Sequence, residues 1–158
     1  MAERPLDPRG RYFEEFAVGD AITTPARTIT EADVVSFAAL SGDWNQLHTD
    51  AEFASETPFG ARIAHGLLGL AVASGLGARA GFIEGTAEAF LKLDWRFRGP
   101  TYFGDTLRMR GEVTRTRAVR SMGGGIVVFD MQLLNQRNEV VQEGQWTVAV
   151  RGRPEEGE

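Results

Sequence analysis

Two patches of this chain gather acid, amide and imidazole groups. They are Asp43-Trp44-Asn45-Gln46-Leu47-His48-Thr49-Asp50 and Arg62-Ile63-Ala64-His65-Gly66-Leu67, and between them they hold both histidines. Asp43 and His48 are five residues apart in a polar segment, so their side chains can converge on one point. A carboxylate and an imidazole that share one water can take a proton from it and return a proton to carbon, which is general acid–base chemistry. Asn45 is placed to orient either partner or a substrate, and Asp50 to cap the turn that follows it. Gly66 opens an apolar segment; at a helix start the unpaired N–H groups point outward and can polarise a carbonyl oxygen that gains negative charge. Lacking a side chain, Gly66 lets that oxygen come close. Ser74, two helical turns on, can offer a hydroxyl to the same cavity.

Each residue also has a plainer reading. A single Asp or His in a polar loop is ordinarily a turn or cap residue, and Gly66 and Ser74 taken alone are helix packing. His65 reads as structural, its imidazole bonded to a backbone carbonyl. Arg96, Arg98, Arg108 and Arg110 read as a solvated sheet face or as contacts for anionic phosphates, and the sequence does not separate the two. His48-x-Asp50 with His65 also spells the two-His-one-carboxylate set of a non-haem iron site. The many short strands of the jelly-roll that usually carries such a site are missing, so the reading adopted holds no metal.

The elements that must position these groups can be read from spacing. Residues 1–11 carry two prolines and three arginines without apolar period, which predicts a loose arm. Ala21–Thr28 is a short strand interrupted by Pro25. Thr30 caps a helix with Glu31 and Asp33 in its first turn; Val34, Phe37, Ala38 and Ser41 recur at helical spacing and Gly42 stops it. The Asp43 patch therefore follows a helix end, and a short turn over Ala51–Ser55 follows Asp50. From Gly66 to Ala80 the chain is apolar on every side and rich in small residues, which predicts a buried central helix. Four antiparallel strands follow: Phe90–Arg98, with Leu91, Leu93, Trp95 and Phe97 alternating against polar residues; Thr106–Thr116; Gly123–Leu134, the most apolar and so central; and Val140–Val150 after a turn at Asn135–Asn138. The result is an α+β domain over residues 12–151, one antiparallel sheet wrapped around a central buried helix, with a disordered charged tail at 152–158.

Composition narrows the partners. The chain has 158 residues, 42% apolar and 25% charged, with a net charge of −5. No basic excess exists to neutralise nucleic-acid phosphates. Cysteine is absent, which removes disulfides and thiolate chemistry and suits a reducing cytoplasm. The first residues have no apolar core of a signal peptide, and the longest apolar run is shorter than the ~20 residues that span a bilayer. The expected protein is cytoplasmic, without membrane or nucleic-acid partners.

Asp43-x-Asn45-x-Leu47-His48-x-Asp50 followed by Arg62-x-Ala64-His65-Gly66-Leu67 resembles the MaoC-like (R)-specific enoyl-CoA hydratases and dehydratases, proteins of the hot-dog fold. The resemblance runs over about residues 13–150. It implies that Asp43 and His48 activate water, that Gly66 gives the oxyanion N–H, and that Ser74 lines the acyl pocket, with Asn45 orienting and Gln46, Leu47 and His65 beside the substrate. The implied reaction adds or removes water across a trans-2-enoyl thioester to give an (R)-3-hydroxyacyl thioester. CoA enters as part of the substrate, no cofactor takes part, and the chain forms a homodimer or an assembly of dimers. A thioesterase and a non-catalytic acyl-CoA-binding module are the alternatives. Gln46 stands where the family commonly has Pro, which relaxes the loop and suggests a polar or branched acyl group, such as a dicarboxylic one.

Overall fold

The computed structural model describes residues 10–154. The sheet grows from one long meander, β4 (Thr106–Val119), β5 (Gly124–Leu134) and β6 (Val140–Arg151), flanked by β1 (Ala21–Thr23) and β3 (Ala87–Phe97) in the order β1-β4-β5-β6-β3. All pairs are antiparallel, and β5 is central, as its continuous apolar run predicts. Pro25 splits the first strand: β1 pairs through Ala21–Thr23, and β2 (Arg27–Thr28) resumes the pairing with β4 at Leu107 and Thr106. Asn138, at φ 62°, takes the left-handed position of the β5–β6 turn, a conformation that asparagine tolerates better than most residues.

Helix α1 (Glu31–Ser41) starts and stops where its chemistry dictates. The Thr30 hydroxyl accepts from the Asp33 N–H, the Asp33 carboxylate accepts from the Thr30 N–H, and Gly42 closes the helix at φ 77°. Two short helices follow, α2 (Gln46–Thr49) and α3 (Ala51–Ser55), and then α4 (Gly66–Ala80). Leu68, Val72, Ala73 and Leu76 of α4 share one core with Met109, Val113, Phe129, Met131 and Val148 of the sheet. The approach is close. A Cβ on Gly69 would lie 2.2 Å from Gln142 Nε2, and one on Gly77 3.0 Å from the Trp146 ring.

Two expectations change. The helix read as buried all round is buried on one side only: Leu67 is 61% exposed, and Ala71, Ser74, Gly75 and Ala78 are exposed as well. A single sheet covers one side of a helix, and the described residues leave the other uncovered. The alternation in β3 predicts one covered face, yet β3 is an edge strand with register shifts, and Phe90, Leu91, Leu93 and Phe97 are 41–53% exposed. Of the predicted arm, residues 1–9 lie outside the described residues, as do 155–158 of the tail. Gly10 and Arg11 are packed; Arg11 is buried and pairs with Asp20 at 3.0 Å. In the tail, the Arg153 N–H donates to Glu14 at 2.9 Å. Among the described residues, no helix is long and apolar enough to cross a membrane.

Candidate active site

The left-handed Gly42 turns the chain out of α1, and Asp43 follows at once. Its Oδ1 accepts from the Asn45 N–H at 3.2 Å, and the Asn45 side chain in turn accepts from the Leu47 N–H at 3.0 Å. These two side-chain turns start α2 and set His48 in its last turn. Asn45 thus works through its Oδ1 as a helix cap. Asp50 caps α3 by accepting from the Phe53 N–H at 3.0 Å, the cap role its position predicts.

The second patch docks against the first. The Ile63 N–H donates to Leu47 O at 3.3 Å, and the Ala64 N–H to Thr101 O at 2.8 Å. Arg62 reaches Glu31 of α1 at 2.6 Å and lies over the Phe103 ring at 4.9 Å. His48 and His65 stack, 3.8 Å between ring centroids and 28° between planes. One potential ligand atom from each of Asp43, His48 and His65 falls within 4.8 Å of the others. The structure brings these three together from segments 22 residues apart.

Backbone carbonyls fix both tautomers, because a carbonyl can only accept. His48 Nδ1 lies 2.7 Å from Ile63 O, so Nδ1 carries the proton and Nε2 keeps its lone pair. His65 Nε2 lies 2.9 Å from Asp43 O and donates to it, the backbone bond expected for this residue. His65 is 2% exposed, and its Nδ1 has no partner among the described residues. Asp43 is exposed and His48 half-buried, so a carboxylate and an imidazole with one nitrogen free of the backbone sit side by side at an open surface.

Asp50, the acid of the alternative iron reading, is used as a cap, and the acid beside the histidines is Asp43. One nitrogen of each ring is committed to a carbonyl.

Gly66 is the first residue of α4, after His65 as N-cap. Its missing side chain has a cause inside the chain: a Cβ there would lie 2.9 Å from the Phe97 ring. Gln46, first residue of α2, and Ser74, on the outward side of α4, are exposed and make no side-chain hydrogen bond among the described residues. Leu47 is half-buried and serves through its backbone. Ile63, Phe97, Trp95 and Gln142 escape sequence reasoning. The last gave one signal, a polar residue in the inward row Gln142, Gly144, Trp146, Val148 and Val150 of β6.

Three of the four strand arginines have hydrogen-bond partners on the sheet face. Arg96, Glu143, Gln132 and Arg110 are cross-strand neighbours in one row. Arg98 bonds Glu143 at 2.7 Å, Arg110 bonds Gln132 at 2.8 Å, and Arg108 bonds Asn138 at 2.6 Å. With Arg98 and Gln132 donating to it, the Glu143 carboxyl is held below the usual carboxylate range. A shallow groove of about 690 Å³ runs over this polar row and does not include Asp43 or His48.

The family model of the MaoC like domain matches residues 14–131. Over 108 residues, 68% of this chain, the sequence is 42% identical to protein MaoC of Klebsiella aerogenes, of which it spans only 32%. It is 36% identical over 104 residues to the (R)-specific enoyl-CoA hydratase of Rhodospirillum rubrum, covering 65% of this chain and 69% of that protein. The R-hydratase PhaJ1 structure from Pseudomonas aeruginosa superposes with a TM-score of 0.77 at 29% identity, covering 93% of this chain and 92% of that one. RV0216 of Mycobacterium tuberculosis, described as a double hotdogfold, gives a TM-score of 0.81 at 21% identity over 95% of this chain and 47% of that one. That likeness shows the fold, a hot-dog.

Proposed function

The chain belongs to the MaoC-like domain family, and we propose that it is a hydro-lyase. It adds and removes water reversibly across a trans-2-enoyl thioester, giving an (R)-3-hydroxyacyl-CoA. The observation that carries this reading is the Ile63 carbonyl, which engages Nδ1 of His48 and leaves Nε2 as the free ring nitrogen in the cluster with the Asp43 carboxylate.

Water held between Asp43 and His48 loses a proton to one of them as its oxygen attacks C3 of the enoyl group. Charge moves to the thioester oxygen, which the Gly66 N–H receives at the start of α4. A proton from the same pair then reaches C2 on the same face, completing a syn addition of H and OH. This chemistry draws on no metal or redox cofactor, and CoA enters only as part of the substrate. Ser74 and Leu47 are assigned to the acyl side of the site. Gln46 is assigned to its polar rim, where it favours a carboxylated or branched acyl group over a straight chain.

A second copy of this chain is the proposed partner. The exposed edge of β3 with Phe90, Leu91, Leu93 and Phe97, and the bare side of α4 with Leu67, leave apolar surface that a twofold pairing covers.

The test follows crotonyl-CoA with the purified protein. Loss of the conjugated enoyl-thioester absorbance without free thiol, and an (R) product on chiral analysis, is the expected result. Release of free CoA thiol would make it a thioesterase, and binding of every enoyl-CoA offered without turnover would make it a binding module.

A further inference from the structure

Gln142 is a buried polar side chain against the start of α4 that neither the motif nor the acid–base pair accounts for. It is 2% exposed, on β6, on the far side of α4 from solvent. Both ends of its amide are used. Nε2 donates to Gly66 O at 2.9 Å, and Oε1 accepts from Trp95 Nε1 at 2.8 Å. Gly69 leaves the room for it, since a Cβ there would lie 2.2 Å from Nε2.

We propose that Gln142 is a positioning residue for the oxyanion turn: by tying the Gly66 carbonyl to β6 and to Trp95 of β3, it fixes the direction of the Gly66 N–H. Glycine has the widest choice of φ and ψ of any residue, so Gly66 holds its own peptide planes least well of any first helical residue. An orienting bond matters most where the backbone is loosest. The Phe97 ring closes the other side of Gly66, 2.9 Å from where a Cβ would stand. The tether holds the Gly66–Leu67 peptide and the ring limits where Gly66 Cα can move, which narrows the range open to the adjoining His65–Gly66 peptide that carries the N–H. Oxyanion donors act only when aimed before the charge develops.

The inference rests on the hydro-lyase reading, and its test separates the two. Gln142→Leu and Gln142→Glu are compared with wild type for thermal melting, kcat, KM and binding of a saturated acyl-CoA. In Gln142→Leu, kcat falls about tenfold to a hundredfold while KM and saturated acyl-CoA binding stay within about threefold, the pattern of a misplaced transition-state contact. In Gln142→Glu a protonated carboxyl can still donate to Gly66 O, whereas the ionised form sets two acceptors against each other. Burial raises the pKa of that carboxyl, so the ratio of variant to wild-type kcat climbs as pH falls from about 9 to about 6. A folded Gln142→Leu with kcat within twofold of wild type overturns the proposal. If that variant does not fold, a pH-independent ratio for Gln142→Glu overturns it. A wild type that hydrates no enoyl-CoA overturns the hydro-lyase reading and the proposal with it.

Discussion

His65 lies flat against His48, 3.8 Å between ring centroids, and hangs by its Nε2–H from the carbonyl of Asp43. One buried ring thus touches both members of the proposed acid–base pair, the imidazole by its face and the acid through its backbone. The pair is placed by the fold of two segments onto each other and not by the loop alone.

From that contact, His65→Leu removes the side-chain donor that Asp43 O has among the described residues and leaves that carbonyl short of a partner. The expected loss is about 1–3 kcal/mol of stability by denaturant melting, with a fall in turnover. His65→Gln, whose amide can still donate, recovers part of both. Equal melting of His65→Leu and wild type would contradict the arrangement.

Acid titrates the start of α1. Burial works against ionisation of Asp33, but the Thr30 N–H and hydroxyl and the Arg27 guanidinium outweigh it, and its carboxyl is held below the ordinary value. A depressed folded pKa gives stability that is present above the unfolded value of about 3.9 and is lost as pH falls through the folded one. Asp33→Ala therefore costs about 1 kcal/mol at neutral pH, and its gap to wild type narrows below about pH 4. Melts at the two pH values check this; a gap that stays constant would refute it.

Gly69 sets helix propensity against packing. Alanine in a helix interior gains about 0.8–1.0 kcal/mol over glycine. Here its Cβ would stand 2.2 Å from Gln142 Nε2, and overpacking costs about 1–3 kcal/mol. Steric conflict wins, and Gly69→Ala melts below wild type. A higher melting temperature would show that Gln142 can yield without cost.

The open edge of β3 gives a prediction about assembly. Leu93 is 41% exposed in the single chain. If a second copy covers this strand, Leu93→Asp shifts the mass in sedimentation from dimer to monomer. A wild type that sediments as a monomer at all concentrations would remove the proposed partner.

Much of this was written locally. Thr30, Asp33 and Gly42 bound α1 with their own side chains and turn, and the acid–imidazole pair stood out because Asp43 and His48 share one short segment. Period-two alternation placed β3 and β4, a continuous apolar run placed β5 and the turn before it placed β6; their ends differ from expectation by a few residues. What failed was neighbour-dependent. An apolar face in β3 and in α4 reads the same whether this chain covers it or a second one does, so both were expected to be buried. Phe97 and Gln142 meet Gly66, and Trp95 meets Gln142, across long sequence separations, and no local pattern couples them. The tautomer of His48 was likewise invisible, because it depends on a carbonyl 15 residues away.

The most direct measurement compares turnover of an enoyl-CoA by wild type, Asp43→Asn and His48→Ala, each shown to melt as a folded protein and to bind a saturated acyl-CoA. The account predicts that wild type hydrates the thioester and that each variant loses about 10²–10⁴ in kcat with binding little changed. Near-wild-type kcat in either variant would contradict the central claim that Asp43 and His48 share the proton transfer.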